Sequence, residues 1–386
     1  MTKQESKKKL LAGILAQLSV IVTLLIFLIV LTVVKNNPTI AEQWSRTAGR
    51  FHIAFFGVLN EKIPFSITEV IITILLVYSI CLLVSFILQL VKKQGFKAIS
   101  RILSIGIIWV NVLCAYTYSV EFAYNRAPLD IELYEGQVKK ENFTAISTYF
   151  IEDFQYCSAQ LTYKENGDIE MPYTKNELNK VLHDEYKKID SSYFGNYTPT
   201  IKPMFYSFVY STFGISGWYF GPFGEGVVNV DSSNAELPFC YAHEMAHGKG
   251  VMREDDAQML AALICLSSDD PYLRYSGYIN TYGSALALAS YSNNKDDYST
   301  VVNKIGNPIR KNLNYIYNNW KELGVVRKIG DWLNNLYLQM SGDKDGTGSY
   351  EDSKPEFDDA GNVIVLSRYQ KLFVRLFIER FPSVEI

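Results

Sequence analysis

The sequence predicts an α+β fold that is mostly α, in which an N-terminal anchor of three membrane-crossing helices precedes one large domain with a small sheet. Two observations carry that reading. Three uncharged apolar runs fill the first third of the chain, and a single His-Glu-x-x-His run, His243-Glu244-Met245-Ala246-His247, lies in the remainder. Hydrophobic residues make up 48% of 386, enough for an anchor and a core, which excludes a disordered chain. The net charge of -3, from 37 basic and 40 acidic side chains, offers no basic field for phosphates and argues against a nucleic-acid partner. Five cysteines without a C-x-x-C pair give neither a disulfide framework nor a zinc ribbon.

The anchor comes first. Leu10 to Val34, Val70 to Val91 and Ile102 to Val120 carry no charge, and each matches the roughly 20 residues that a hydrocarbon core of about 30 Å requires. The expected division is therefore an anchor over 1–120, with spans near 10–34, 70–91 and 102–120, and a domain over 121–386. The first run is too long for a signal peptide, lacks a small-x-small cleavage pattern and is followed by two more spans, so it reads as uncleaved. Lys3, Lys7, Lys8 and Lys9 precede the first span, and Lys92, Lys93, Lys97 and Arg101 crowd the gap between the second and third. Those flanks read as cytoplasmic. Between Lys35 and Glu69 the basic residues are sparser and offset by Glu42, Glu61 and Glu69, so that connection belongs outside. Three crossings then give a multi-pass protein with a cytoplasmic N-terminus and an extracytoplasmic C-terminal domain. Spans without internal charge offer no ion path, which argues against a transporter.

Within the domain, helical spacing runs from Glu177 to Ile189. From Ile201 to Asp231 aromatics alternate with Gly214, Gly217, Gly221, Gly224 and Gly226, a texture of strands and tight turns. Gly226 to Val230 reads as an edge strand whose Val227, Val228 and Asn229 could pair with an extended peptide. Pro238 to Leu266 favours helix with a break at Gly248 and Gly250, and Asp231, Ser232, Ser233 and Asn234 offer N-caps ahead of Pro238 in the first turn. More helical stretches follow Tyr282. The polar stretch from Ser341 to Gly361 reads as a solvated loop before a final amphipathic run, Val365 to Phe381. Its Asp343-Lys344-Asp345-Gly346 is a poor calcium loop, because the twelfth position is Lys354 instead of Glu. Cys157, Cys240 and Cys265 leave a disulfide open.

His243 and His247 stand four residues apart, so on a helix both imidazoles share a face and can hold one Zn2+, while Glu244 can reach a water on the metal. With four histidines in the chain, a chance match has a frequency of roughly 0.4%. Catalytic zinc takes three protein ligands and keeps a position for water. Beyond the glycine break, Arg253-Glu254-Asp255-Asp256-Ala257-Gln258 opens a second helix that can fold back. Glu254 is the expected third ligand, with Ala257 permitting close packing and Gln258 on the ligand's face as its hydrogen-bonding support. Asp255 and Asp256 are the alternatives, and the three acids also suit a helix N-terminus with no metal at all. Arg274, Tyr275 and Tyr278, with Tyr282 beyond them, are candidate donors to an oxyanion.

At these residues the chain resembles the gluzincin group of zinc metallopeptidases, in which His-Glu-x-x-His is followed by a helix carrying Glu-x-x-Ala-Asp or Glu-x-x-Ala-Asn. Here Glu254-Asp255-Asp256-Ala257-Gln258 matches except at its last position. Over nearly its whole length the chain resembles a bacterial membrane family, domain of unknown function 3810. The matching stretches are Ile63-Pro64-Phe65-Ser66, Ile201-Lys202-Pro203-Met204-Phe205, the glycine-rich run to Asn229, Leu237-Pro238-Phe239 and Asp270-Pro271-Tyr272-Leu273-Arg274-Tyr275-Ser276-Gly277-Tyr278. The resemblance implies a gluzincin-like zincin domain tethered in a bacterial cell membrane, and no particular substrate. The expected function is hydrolysis of a peptide or protein by metal-activated water with Glu244 as general base. The alternative is a non-catalytic module that keeps the metal for sensing or partner binding.

Overall fold

The computed structural model describes residues 3–189, 192–324 and 326–386. The chain is mostly helical with few strands and divides into two compact units. The first comprises 1–127 and 220–225, the second 128–219 and 226–386.

Three helices of the first unit are long and apolar enough to cross a membrane: α1 (Lys3–Lys35), α4 (Ile67–Val91) and α5 (Gly95–Tyr116). Between the first two lie α2 (Pro38–Trp44) and α3 (Arg50–Glu61). Asn37 starts α2 by accepting from the Thr39 and Ile40 amides, with Pro38 pre-set for the first turn. A π-turn over Thr117–Glu121 carries α5 on into the short α6 (Phe122–Tyr124). The helical path therefore runs past Val120, and the first unit extends to Ala127. Ion pairs tie this stretch back: Lys35 meets Glu121 at 2.6 Å, and Arg126 forks onto both oxygens of Glu42 at 2.9 and 3.0 Å. Arg126, aided by Arg46, holds the Glu42 carboxyl down at about 2. In the same unit the buried Glu225 carboxylate accepts from the Thr68 amide at 2.8 Å, the Ile67 amide at 3.1 Å and the Ser66 hydroxyl at 3.1 Å. A negative charge there caps the positive end of α4.

The second unit opens with α7 (Lys140–Ala159) and α8 (Lys175–Lys187), the latter started by a reciprocal Thr174–Glu177 capping box. Next come β1 (Lys202–Pro203), α9 (Ser207–Thr212), β2 (Gly217–Phe220) and β3 (Glu225–Val228). Their sheet has the order β1-β3-β2, with Lys202 opposite Val227 and Pro203 opposite Val228 in parallel register. β3 is thus the central strand and not an edge. Val227 and Val228 are paired and fully buried, and the Asn229 side chain donates to Ser211 and the Ile215 carbonyl. These three residues are closed to an incoming peptide. The sequence signal misled because β1 is too short to be recognised before it pairs.

Helices α10 (Leu237–Gly248), α11 (Glu254–Ser267) and α12 (Pro271–Ala289) form the centre of the core. They are followed by α13 (Asp297–Asn303), α14 (Asn307–Leu323) and α15 (Arg327–Ser341). A 3-10 turn over Gly346–Tyr350, the small pair β4 (Glu356–Phe357) and β5 (Val363–Val365), and α16 (Arg368–Arg380) complete the chain. The aromatic heart of the unit is Phe154 of α7 against Tyr275 and Tyr278 of α12, at ring separations of 5.1 and 5.2 Å. Cys157, Cys240 and Cys265 are free thiols.

Candidate metal centre

The His-Glu-x-x-His helix α10 is threaded through the core, with every residue from Tyr241 to Gly248 buried. Pro238 occupies its first turn, but the N-cap is Glu236, which makes no side-chain capping bond. The expected caps are engaged elsewhere: the Ser233 hydroxyl donates to Asp168 at 2.6 Å and the Asn234 amide to the Ile169 carbonyl at 2.9 Å.

One helical turn separates His243 from His247, and their rings stand 4.6 Å apart and nearly perpendicular. Their Nε2 atoms approach to 3.0 Å, and Glu254 Oε2 lies 3.1 Å from the first and 3.4 Å from the second. The chain reaches this arrangement through a tight turn. Gly250 adopts φ +90, a conformation that costs glycine least, and Gly248 packs so closely on Pro199 that a side chain would collide. The turn also aims the Val251 carbonyl at His247, whose Nδ1–H donates to it at 2.8 Å and leaves Nε2 as a lone pair. Helix α11 then begins at Glu254, and the three consecutive acids separate. Glu254 faces the histidines, whereas Asp255 pairs with Arg253 and Arg368, and Asp256 takes Arg368 at 2.9 Å and the Leu129 amide at 2.9 Å.

Two imidazole lone pairs and a carboxylate oxygen crowded within 4.8 Å repel one another unless a cation or proton joins them. Ligands held about 2.0–2.1 Å from one tetrahedral zinc are about 3.3 Å apart, close to the separations seen here. Two nitrogens and one oxygen are also the donor types zinc takes in hydrolase sites. Burial pushes the His243 pKa down. Burial likewise opposes charge on His247, but Glu254 outweighs it and His247 is pushed up to about 9; in turn the two histidines hold Glu254 well below the carboxylate range despite its burial.

Glu244 occupies the next position on α10, and burial pushes it up to about 8, with His247 opposing and Glu254 reinforcing. Its Oε2 is buried without a hydrogen-bond partner. Gly217 of β2 lies flush against this carboxylate, leaving no room for a Cβ.

Tyr350 is the residue that sequence reasoning missed. It ends the 3-10 turn in the stretch expected to be solvated loop, yet its ring lies 6.3 Å from that of His243. Burial and the neighbouring Glu254 and Glu244 push its phenol far up, so it stays protonated. Asn334 reaches its oxygen at 3.5 Å, which leaves the phenol proton unused. The expected oxyanion donors are not brought here. Tyr278 donates to Asp153 of α7 at 2.7 Å, Tyr275 to Asn312 of α14 at 3.0 Å, and Arg274 joins Asp153 and the Ser268 carbonyl at the end of α11. Tyr282 likewise packs on Phe154. Among the described residues, no hydrogen bond links Gln258 to His243, His247 or Glu254.

The sequence profile of a family described as Protein of unknown function (DUF3810) matches residues 44–353, which include all four motif residues and Tyr350. The chain belongs to this family. Searches of curated proteins and of solved structures return no match.

Proposed function

We propose that the protein is a membrane-anchored zinc metallopeptidase that hydrolyses peptide bonds. The observation that carries this reading is the convergence of His243, His247 and Glu254 on one point, with the unpartnered Glu244 carboxylate one residue away. A zinc ion held by the three would supply the positive charge that acidifies water and polarises a carbonyl. Glu244 takes the proton as the water oxygen bonds to the scissile carbon, and delivers it to the nitrogen as the C–N bond breaks, giving a carboxylate and an amine. Tyr350 donates its phenol proton in a hydrogen bond to the oxygen that gains charge. With β3 closed at the centre of the sheet, the edge strand beside Glu244 that could pair with an extended substrate is β2, whose Gly217 touches that carboxylate.

The test uses the full chain in nanodiscs, with zinc measured by mass spectrometry and cleavage measured on a broad peptide library. Zinc is expected at one per chain. His243→Ala and Glu254→Ala should lose most of it, whereas Asp255→Ala should keep it. Glu244→Gln should retain metal and fold while cleavage disappears. A wild-type protein that holds stoichiometric zinc and cleaves nothing would overturn the peptidase reading and leave a metal-held binding module.

A further inference from the structure

Helix α15 has its amphipathicity inverted for a surface helix of a soluble domain. Its inward face carries one large apolar side chain among small and polar ones: Gly330 rests on the Phe213 backbone, Asn334 reaches Tyr350, and Leu338 and Ser341 are buried. Its outward face presents Ile329, Trp332, Leu333, Leu336, Tyr337 and Met340, with Trp332 62% and Met340 67% exposed. Steps of three and four residues align them in one apolar stripe. Phe205, Phe208 and Val209, also exposed, lie at and just before α9, whose C-terminal end meets the start of α15 through the Val326 amide and Thr212 carbonyl. Beside the stripe is an open depression of about 740 Å³, lined by Tyr317, Trp320, Lys321, Arg327 and Lys328, with Asp331 as its acid.

We propose that α15 and the Phe205–Val209 segment form an interfacial surface that lies in the headgroup layer of a bilayer, with Lys321, Arg327 and Lys328 on anionic headgroups. Exposed apolar stripes of this length mark interaction sites. Three features select lipid as the occupant. The same chain carries three helices long and apolar enough to cross a bilayer, so a lipid surface is present at high effective concentration. Tryptophan and tyrosine flanked by lysine and arginine are the composition of an interfacial helix. Lysine, by contrast, is depleted from the cores of protein–protein interfaces. The inference stands independently of peptide hydrolysis, and it gives α15 two faces with different tasks: outward to lipid, inward to the turn that carries Tyr350.

The experiment places the full chain in nanodiscs containing phosphatidylglycerol, with and without lipids brominated near the headgroup end of the acyl chain. Tryptophan emission is recorded for the wild type and for Trp332→Phe, an exposed position whose substitution should leave thermal unfolding unchanged. The wild-type minus variant difference isolates Trp332. Its emission should be blue-shifted and quenched about twofold by the brominated lipid. Trp109 of α5, near the middle of its span and isolated in the same way through Trp109→Phe, is recorded with lipid brominated midway along the acyl chain and reports that brominated lipid surrounds the protein. Difference emission at the wavelength of water-exposed tryptophan, unquenched while Trp109 is quenched, would overturn the proposal. So would blue-shifted but unquenched emission, which would assign the face to protein: to a second copy if intermolecular cross-linking at Met340→Cys also appears.

Discussion

Tyr350 and Glu236 show how enclosure sets what one side chain can do. The Tyr350 phenol, pushed up by burial and by two nearby carboxyls, cannot serve as a base and keeps its proton for donation. Tyr350→Phe should therefore leave zinc content unchanged and lower turnover by about 10²–10³-fold with little change in KM, the range for loss of one donor to a developing oxyanion. Steady-state kinetics on a cleaved library peptide would check it, and unchanged turnover would return Tyr350 to a packing role. Glu236, at the start of α10, is pushed up to about 7 by burial, with Trp320 donating to both its oxygens at 3.0–3.1 Å and opposing that rise. A carboxyl raised in the folded state binds more protons than it does unfolded, so stability falls as pH climbs from about 4.5 to about 7 and is level beyond. The loss from this group is on the order of 3 kcal/mol. Thermal unfolding of Glu236→Gln against wild type at pH 5 and pH 8 should show a variant advantage at the higher pH only.

At the scale of elements, the site is held by a helix, a turn and a strand that contribute differently. Gly217 of β2 matters because its Cα is the wall against which Glu244 rests. Gly217→Ala would push that flexible carboxylate aside without touching His243, His247 or Glu254. The variant should fold, retain zinc and lose cleavage, and should differ from Gly250→Ala, which strains the φ +90 turn between α10 and α11. The second substitution should weaken zinc binding itself, as metal titration with a competing chelator would show. The same elements explain how far the sequence could be read. His243, Glu244 and His247 follow from helical periodicity, and Glu254 from a turn only a few residues long, so local rules suffice. Tyr350 arrives from a hundred residues away through a polar turn packed under α15, and no spacing announces it. The central place of β3 depends on a two-residue partner, and the missed N-cap depends on Asp168 recruiting Ser233. Each is a long-range contact outweighing a local preference.

At the scale of the whole molecule, two units share one chain that passes between them at 127–128, 219–220 and 225–226. Burial pushes the Cys157 thiol up to about 12 and keeps it unreactive. We propose the orientation from charge: Lys7, Lys8 and Lys9 at the start of α1, and Lys92, Lys93 and Lys97 from the end of α4 into the first turn of α5, would be retained on the cytoplasmic side, since moving such clusters across a bilayer is disfavoured. Three crossings would then deliver the C-terminal part of the chain, with His243 and His247, to the opposite face. With epitope tags at both ends, protease added to intact spheroplasts should remove the tag after Ile386 and spare the one before Met1. Replacing Lys92, Lys93 and Lys97 with glutamine weakens the central bias and should yield a mixture in which part of the C-terminal tag becomes protected. The reverse pattern in the unmodified chain, with the N-terminal tag cleaved and the C-terminal tag protected, would place His243 and His247 in the cytoplasm and overturn the proposed orientation.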